Sequence, residues 1–110
     1  MTGRAVHAVR KAIVIMRDEV GDQVEVQTFD LFCLLALRPD QPMLHLAEEL
    51  NISLSATSRN VEKLKKRELV RRQEDPEDRR NKRINLTAKG KRIIERIDEE
   101  CSSIMTTQGG

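Results

Sequence analysis

Leu46-Ala47-Glu48-Glu49-Leu50-Asn51-Ile52-Ser53-Leu54-Ser55-Ala56-Thr57-Ser58-Arg59-Asn60-Val61-Glu62-Lys63-Leu64 is the stretch whose reading decides the fold. Leu46, Leu50, Ile52, Val61 and Leu64 supply apolar contacts between two short helices. Ala47 is small where they must cross, and Asn51-Ile52-Ser53 makes a tight turn. This is the spacing of a helix-turn-helix. Ser53 precedes the second helical pattern and can cap its exposed N–H groups. The first helix is expected over 43–50 and the second over 54–67. The second helix buries Leu54, Val61 and Leu64. Its other stripe is predicted to expose Ser55, Thr57, Arg59, Asn60 and Lys63, with the small residues Ala56 and Ser58 between them. Such groups suit base edges and phosphates: Arg can hold guanine, and Asn adenine, through two hydrogen bonds each.

Downstream, Leu69-Val70-Arg71-Arg72-Gln73 and Arg83-Ile84-Asn85-Leu86 can pair as antiparallel strands. Pro76 and Asn81 belong in the loop between them. That loop sets Asp75, Glu77 and Asp78 beside Arg79, Arg80, Lys82 and Arg83. A carboxylate next to an arginine fixes the arginine's direction through a charge-assisted hydrogen bond. The hairpin therefore reads as a basic wing with aimed side chains.

The charge distribution agrees. The chain's net charge is only +2, but residues 55–92 carry 14 Lys and Arg against 6 Asp and Glu, while the rest carries 6 against 12. A polyanion is the natural partner of such a segment. With no Trp or Tyr and two Phe, Phe29 and Phe32, stacking on single-stranded nucleic acid is poorly supported. The apolar run 31–37 is too short to span a bilayer, and no N-terminal export pattern is visible. Cys33 and Cys101 stand 68 positions apart. They form neither a disulfide framework nor a metal cluster, and a reducing cytoplasm fits them. His7 and His45 lack the partner ligands a metal needs. No cofactor or metal is expected. No histidine–carboxylate–nucleophile set and no phosphate-cradling glycine loop is present, so an enzyme is not expected either.

Outside this lobe lie three more helices. A helix is expected over 4–19, with Val6, Val9, Ile13, Met16 and, just past it, Val20 at spacings of three and four, and Val14 and Ile15 widening the apolar face. Residues 28–38 are dense in Phe and Leu and form the central core helix, with Cys33 inside it. Pro39-Asp40-Gln41-Pro42 is expected as a turn whose second proline opens the next helix. Thr87 is expected to cap a last helix carrying Ile93, Ile94, Ile97, Cys101, Ile104 and Met105, and Gln108-Gly109-Gly110 to fray. The apolar surface of the two terminal helices exceeds what one small core needs, which points to a second subunit.

The stretch 46–87 resembles the winged helix-turn-helix of the MarR family, named for multiple antibiotic resistance regulators. Its most specific match is Asp75-Pro76-Glu77-Asp78-Arg79-Arg80-Asn81-Lys82-Arg83-Ile84-Asn85-Leu86-Thr87-Ala88-Lys89-Gly90, against a pattern of Asp-x-Arg, a few variable positions, Leu-Thr and a Gly. Leu46-Ala47 and Ser58-Arg59 also fall in place, and with the flanking helices the resemblance covers residues 4–105. It implies a mainly α chain with a small β-hairpin wing. It also implies a single domain over 1–110, with dimerisation helices over 4–20 and 88–105 and a DNA-binding lobe over 28–87. The dimer interface would hold Val6, Val9, Ile13, Met16, Ile93, Ile97, Cys101 and Ile104. DNA would be met by Ser53, Ser55, Ala56, Thr57, Ser58, Arg59, Asn60, Lys63, Arg71, Arg79, Arg80 and Lys82. On the family pattern Arg80 enters the minor groove and Asp78 orients it. Glu68 stands where the family usually ends the recognition helix with Gly.

The expected function is that of a cytoplasmic homodimer that binds double-stranded DNA sequence-specifically and regulates transcription, as a repressor at a palindromic operator. A small-molecule inducer fits the family, although no polar cluster names one. The rival reading is a protein-interaction adaptor or antirepressor reusing the fold, since fold alone does not fix function. The basic wing favours DNA.

Overall fold

A computed structural model describes residues 3–78 and 82–106. In chain order the elements are α1 (Arg4–Glu19), α2 (Val26–Leu37), β1 (Gln41–Pro42), α3 (Met43–Leu50), α4 (Leu54–Lys66), β2 (Val70–Glu74), β3 (Lys82–Leu86) and α5 (Ala88–Thr106). They form two compact units, one from the residues up to Val24 together with those from Arg92 onward, the other from Glu25 to Lys91.

In the first unit, α1 and α5 run antiparallel, as their cross-links show. Arg4 Nη1 donates to the Met105 carbonyl at 3.0 Å and Cys101 Sγ to the Ala8 carbonyl at 3.2 Å. Lys11 pairs with Glu100 at 3.2 Å. Arg96 reaches Asp18 at 2.9 Å, Glu19 at 3.1 Å and its own helix's Glu100 at 2.8 Å. The inward face of α1 is Ala8, Ala12, Ile15 and Met16, at helical spacings of four, three and one. The valine-led stripe expected from the sequence is turned outward: Val6 is 71% exposed, Val9 60%, Ile13 40% and Val14 40%. The two alanines explain the difference, because small side chains let the α5 thiol reach the α1 backbone. Met16 and Ile93, expected at a dimer interface, are buried in the chain itself and cannot face a second subunit. Ile97, Cys101 and Ile104 are half-buried.

The second unit closes around Leu31, Phe32 and Leu35 of α2, Leu46 and Ala47 of α3, Val61 and Leu64 of α4, and Leu69, Val70, Ile84 and Leu86 of the sheet segment. Each fully buried Leu, Ile, Val or Phe contributes about 1.5–3 kcal/mol. Gly90 lets α5 start close to this core. A Cβ there would lie 2.4 Å from the Leu69 carbonyl oxygen, closer than such atoms approach. Thr87 Oγ1 accepts from the Gly90 N–H at 3.1 Å, the cap expected from the sequence.

The sheet has three antiparallel strands in the order β1-β3-β2. Val70 faces Leu86 and Glu74 faces Lys82, while Gln41 faces Ile84 and Pro42 faces Arg83. The expected turn over 39–42 thus contains a third strand. Asp40 makes it possible by taking a left-handed φ of 58°. Its N–H donates to Asn85 Oδ1 at 2.8 Å, and Asn85 Nδ2 donates to Asp40 Oδ1 at 3.0 Å. Proline is tolerated because β1 is an edge strand.

Candidate nucleic-acid interface

Two like helix endings set the motif. Asn51 ends α3 with a φ of 56°. Its N–H donates to the Glu48 carbonyl, and that of Ile52 to the Ala47 carbonyl, both at 3.2 Å. Glu68 follows α4 with a φ of 61°, its N–H donating to Lys65 at 2.9 Å and that of Leu69 to Leu64 at 3.0 Å. Both are Schellman endings, in which a left-handed residue satisfies the last carbonyls. Asn suits that conformation. Glu takes it at about 1–2 kcal/mol of strain, so the helix ends where the family pattern wants a glycine.

Ser53 caps α4: its Oγ accepts from the Ala56 N–H at 3.0 Å and lies 3.2 Å from the Ser55 hydroxyl. No acidic residue sits in the first turn of α4, so the partial positive charge of its N-terminus is uncompensated there. Ser55 and Arg59 are exposed, and Ala56 and Ser58 half-buried. Arg59 makes no ion pair or side-chain hydrogen bond among the described residues.

The expected exposed stripe fails at two positions. Thr57 is 0% exposed and Asn60 4%. The Thr57 hydroxyl donates to the Ser53 carbonyl at 2.9 Å. The Asn60 amide is held by Thr28 and Gln27 of α2 and by its own helix. Neither side chain presents itself to a base edge. The signal was in the spacing: 57, 60, 61 and 64 follow the i, i+3, i+4, i+7 rule of a buried face, and only their polarity hid it. Lys63, also expected at DNA, is engaged with Glu25, whose carboxyl is held below its usual range by that hydrogen bond and charge.

On the wing, Lys82 pairs with Glu74 at 3.1 Å, and Arg71 is exposed with no ion pair among the described residues. Arg83 is a strut. Its Nε donates to Asp75 Oδ2 at 3.2 Å and its Nη1 to the Asp40 carbonyl at 2.9 Å. Asp75, 9% exposed, also accepts from the Glu77 N–H at 2.9 Å. That backbone bond, followed by Arg83, holds its carboxyl below the usual aspartate range. Asp78 is exposed. The expected cations Arg79 and Arg80, the pairing of Arg80 with Asp78, the loop residue Asn81 and the expected frayed end lie outside the described residues.

Between α4 and the wing opens a groove of about 730 Å³, whose lining includes Leu44, Leu54, Ser55, Ser58, Arg72 and Lys82. Arg72 was not singled out from the sequence. Its Nη2 lies 2.9 Å from Glu62 Oε1, out of hydrogen-bond alignment, and neither Nε nor Nη2 has an aligned acceptor. An arginine two residues from a buried strand position gave no signal, because strand register alone turns it toward the helix.

Cys101 is half-buried, and its thiol is pushed up by burial first and by Glu100 and Asp98 next. A raised thiol is a poor redox nucleophile. Among the described residues no group of three or more His, Cys, Asp or Glu is placed to hold a metal, and no helix is long and apolar enough to cross a membrane.

A capped helix-turn-helix followed by a hairpin packed through a third strand defines a winged helix-turn-helix protein. The chain belongs to the MarR family, whose sequence profile matches residues 25–82. Members of that family are DNA-binding transcriptional regulators rather than enzymes. The fold is shared with the S. aureus MepR–DNA complex at a TM-score of 0.79 and 17% identity, covering 94% of this chain and 83% of that one. It is shared with Streptococcus pneumoniae FabT in complex with DNA at 0.72 and 20%, covering 91% and 68%. It is also shared with the Streptomyces coelicolor regulator PcaV in complex with its natural ligand at 0.65 and 18%, covering 96% and 77%.

Proposed function

We propose that the chain acts in the cytoplasm as a homodimeric repressor that recognises a palindromic operator in double-stranded DNA. The observation that carries this reading is the open end of α4. The exposed hydroxyl of Ser55 stands in the uncompensated first turn of α4, with the exposed guanidinium of Arg59 one turn further on, and the adjoining groove is lined by the cations Arg72 and Lys82. Ser55, Ser58 and Arg59 would meet base edges in the major groove. Ser53 and Arg71 would meet phosphates. The wing cations Arg79, Arg80 and Lys82 would reach the neighbouring minor groove, Asp78 aligning Arg80. Val6, Val9 and Ile13, too apolar to be left in water, would be covered by the second subunit. MepR and FabT were crystallised with DNA, and PcaV with a ligand, which supports DNA as partner and a small-molecule inducer.

Duplexes selected from a random pool by the purified protein test the reading. The expected product is a palindrome with half-sites about 10 bp apart. Its affinity should fall steeply with salt, the log–log slope growing by about 0.9 per neutralised phosphate. A pool that stays random, or a flat salt response, overturns the reading in favour of a protein partner.

A further inference from the structure

We propose that Asn60 is a positioning residue for DNA recognition, locking the rotation of α4 about its own axis through a buried relay to α2. The inference rests on the DNA reading above. Thr28 Oγ1 donates to Asn60 Oδ1 at 2.7 Å, and Asn60 Nδ2 donates to Gln27 Oε1 at 3.2 Å and to the Ala56 carbonyl at 3.0 Å. Both amide hydrogens and the amide oxygen are therefore used, with Asn60 4% and Thr28 3% exposed. One turn further along α4, Lys63 pairs with Glu25, the residue that opens α2. The first turn of α2 thus grips the same side of α4 twice.

Apolar packing by Val61 and Leu64 does not supply this. The hydrophobic contribution scales with area and is non-directional, whereas a hydrogen bond weakens steeply with misalignment. The difference matters for readout. Turning α4 by about 20° moves a side-chain tip about 5–6 Å from its axis by about 2 Å, enough to break a base contact. Phosphate attraction, which is long-ranged, would survive the same turn. Asn60 therefore governs discrimination between sequences without touching a base.

The double variant Thr28→Val/Asn60→Leu tests this, because replacing both partners by apolar groups of like shape leaves no buried polar atom unpaired between them. Binding of wild type and variant is measured on the selected duplex and on a scrambled duplex of equal length. The variant is expected to lose about tenfold or more on the selected duplex, the equivalent of one bidentate base contact. Affinity and salt slope on the scrambled duplex should be unchanged, and the loss should be shared by every position of the half-site. A folded double variant with wild-type discrimination overturns the inference. So does a loss confined to one base pair, which would make Asn60 a direct reader. If circular dichroism shows the double variant unfolded, Gln27→Ala decides, since that side chain is exposed. Reduced discrimination supports the relay, and wild-type discrimination overturns it. A wild type with no sequence preference removes the DNA reading itself, a result separate from these.

Discussion

Glu68 is the clearest case of a single residue at odds with its backbone. Its φ of 61° is needed for the Schellman ending of α4, which turns the chain into Leu69 and β2. Its side chain is exposed, while its carbonyl accepts from the Thr87 hydroxyl at 2.6 Å, a bond any residue can make. Glu68→Gly should raise stability by about 0.5–1 kcal/mol, the relieved strain less the extra chain entropy of glycine. Chemical denaturation checks this, and an unchanged or lower midpoint would mean that the strain is absent. Arg59 is the opposite case, exposed and with no ion pair or side-chain hydrogen bond among the described residues. Arg59→Ala should leave the melting temperature in place and cost about 1–3 kcal/mol on the selected duplex if it reads a base. Competition binding across single-base operator variants distinguishes this from a phosphate contact, where the loss would be the same on every sequence.

Among the elements, the wing depends on a carboxylate at its root. Asp75 is ionised when its bonds from the Glu77 N–H and Arg83 are made, and its pKa in the fold lies below the usual value. Its stabilising effect is therefore complete above the unfolded value of about 3.9 and is lost as pH falls through the folded one. Asp75→Asn should flatten the acid limb of the stability profile below about pH 4 and change little at neutral pH beyond a constant offset. Melting curves taken across that range check it, and a parallel acid limb in both proteins would assign the effect to Glu25 or Glu100, whose carboxyls are lowered too. The same elements show what the sequence could reveal. Helices α1, α3 and α4 and the two wing strands were legible because apolar periodicity and turn residues mark them within their own segments. Strand β1 was not, because two residues carry no period and are specified by their pairing with β3. The inward faces of α1 and α4 were misread where Ala8, Ala12, Thr57 and Asn60 lie at buried spacings. Small or polar side chains were outweighed by the valines and charged groups beside them.

For the whole molecule, the question is what covers the outer face of α1. Val6, Val9, Ile13 and Val14 are all at least 40% exposed, and large contiguous apolar patches mark interfaces. Ile13→Asp should leave the single chain folded, because the site is solvated there. It should lower dimer stability by several kcal/mol through an unpaired buried charge. Analytical ultracentrifugation reads the outcome: a wild-type monomer at micromolar concentration, or a variant still dimeric, would remove α1 from the interface. The ion pairs of Arg96 with Asp18, Glu19 and Glu100 keep α1 on α5 in either case, so the two halves of the terminal unit should stay together when the dimer parts.

Pro42 is at once the last residue of β1 and the residue before the first turn of α3. With no slack between strand and helix, the hairpin and the helix-turn-helix are geared. A displacement of β3 would therefore be passed to β1 and, through Pro42, to Met43 at the start of α3. Backbone amides at the start of α3 should slow their hydrogen exchange when the hairpin alone is immobilised, and loosening the link by removing the Asp40–Asn85 bonds should uncouple the two.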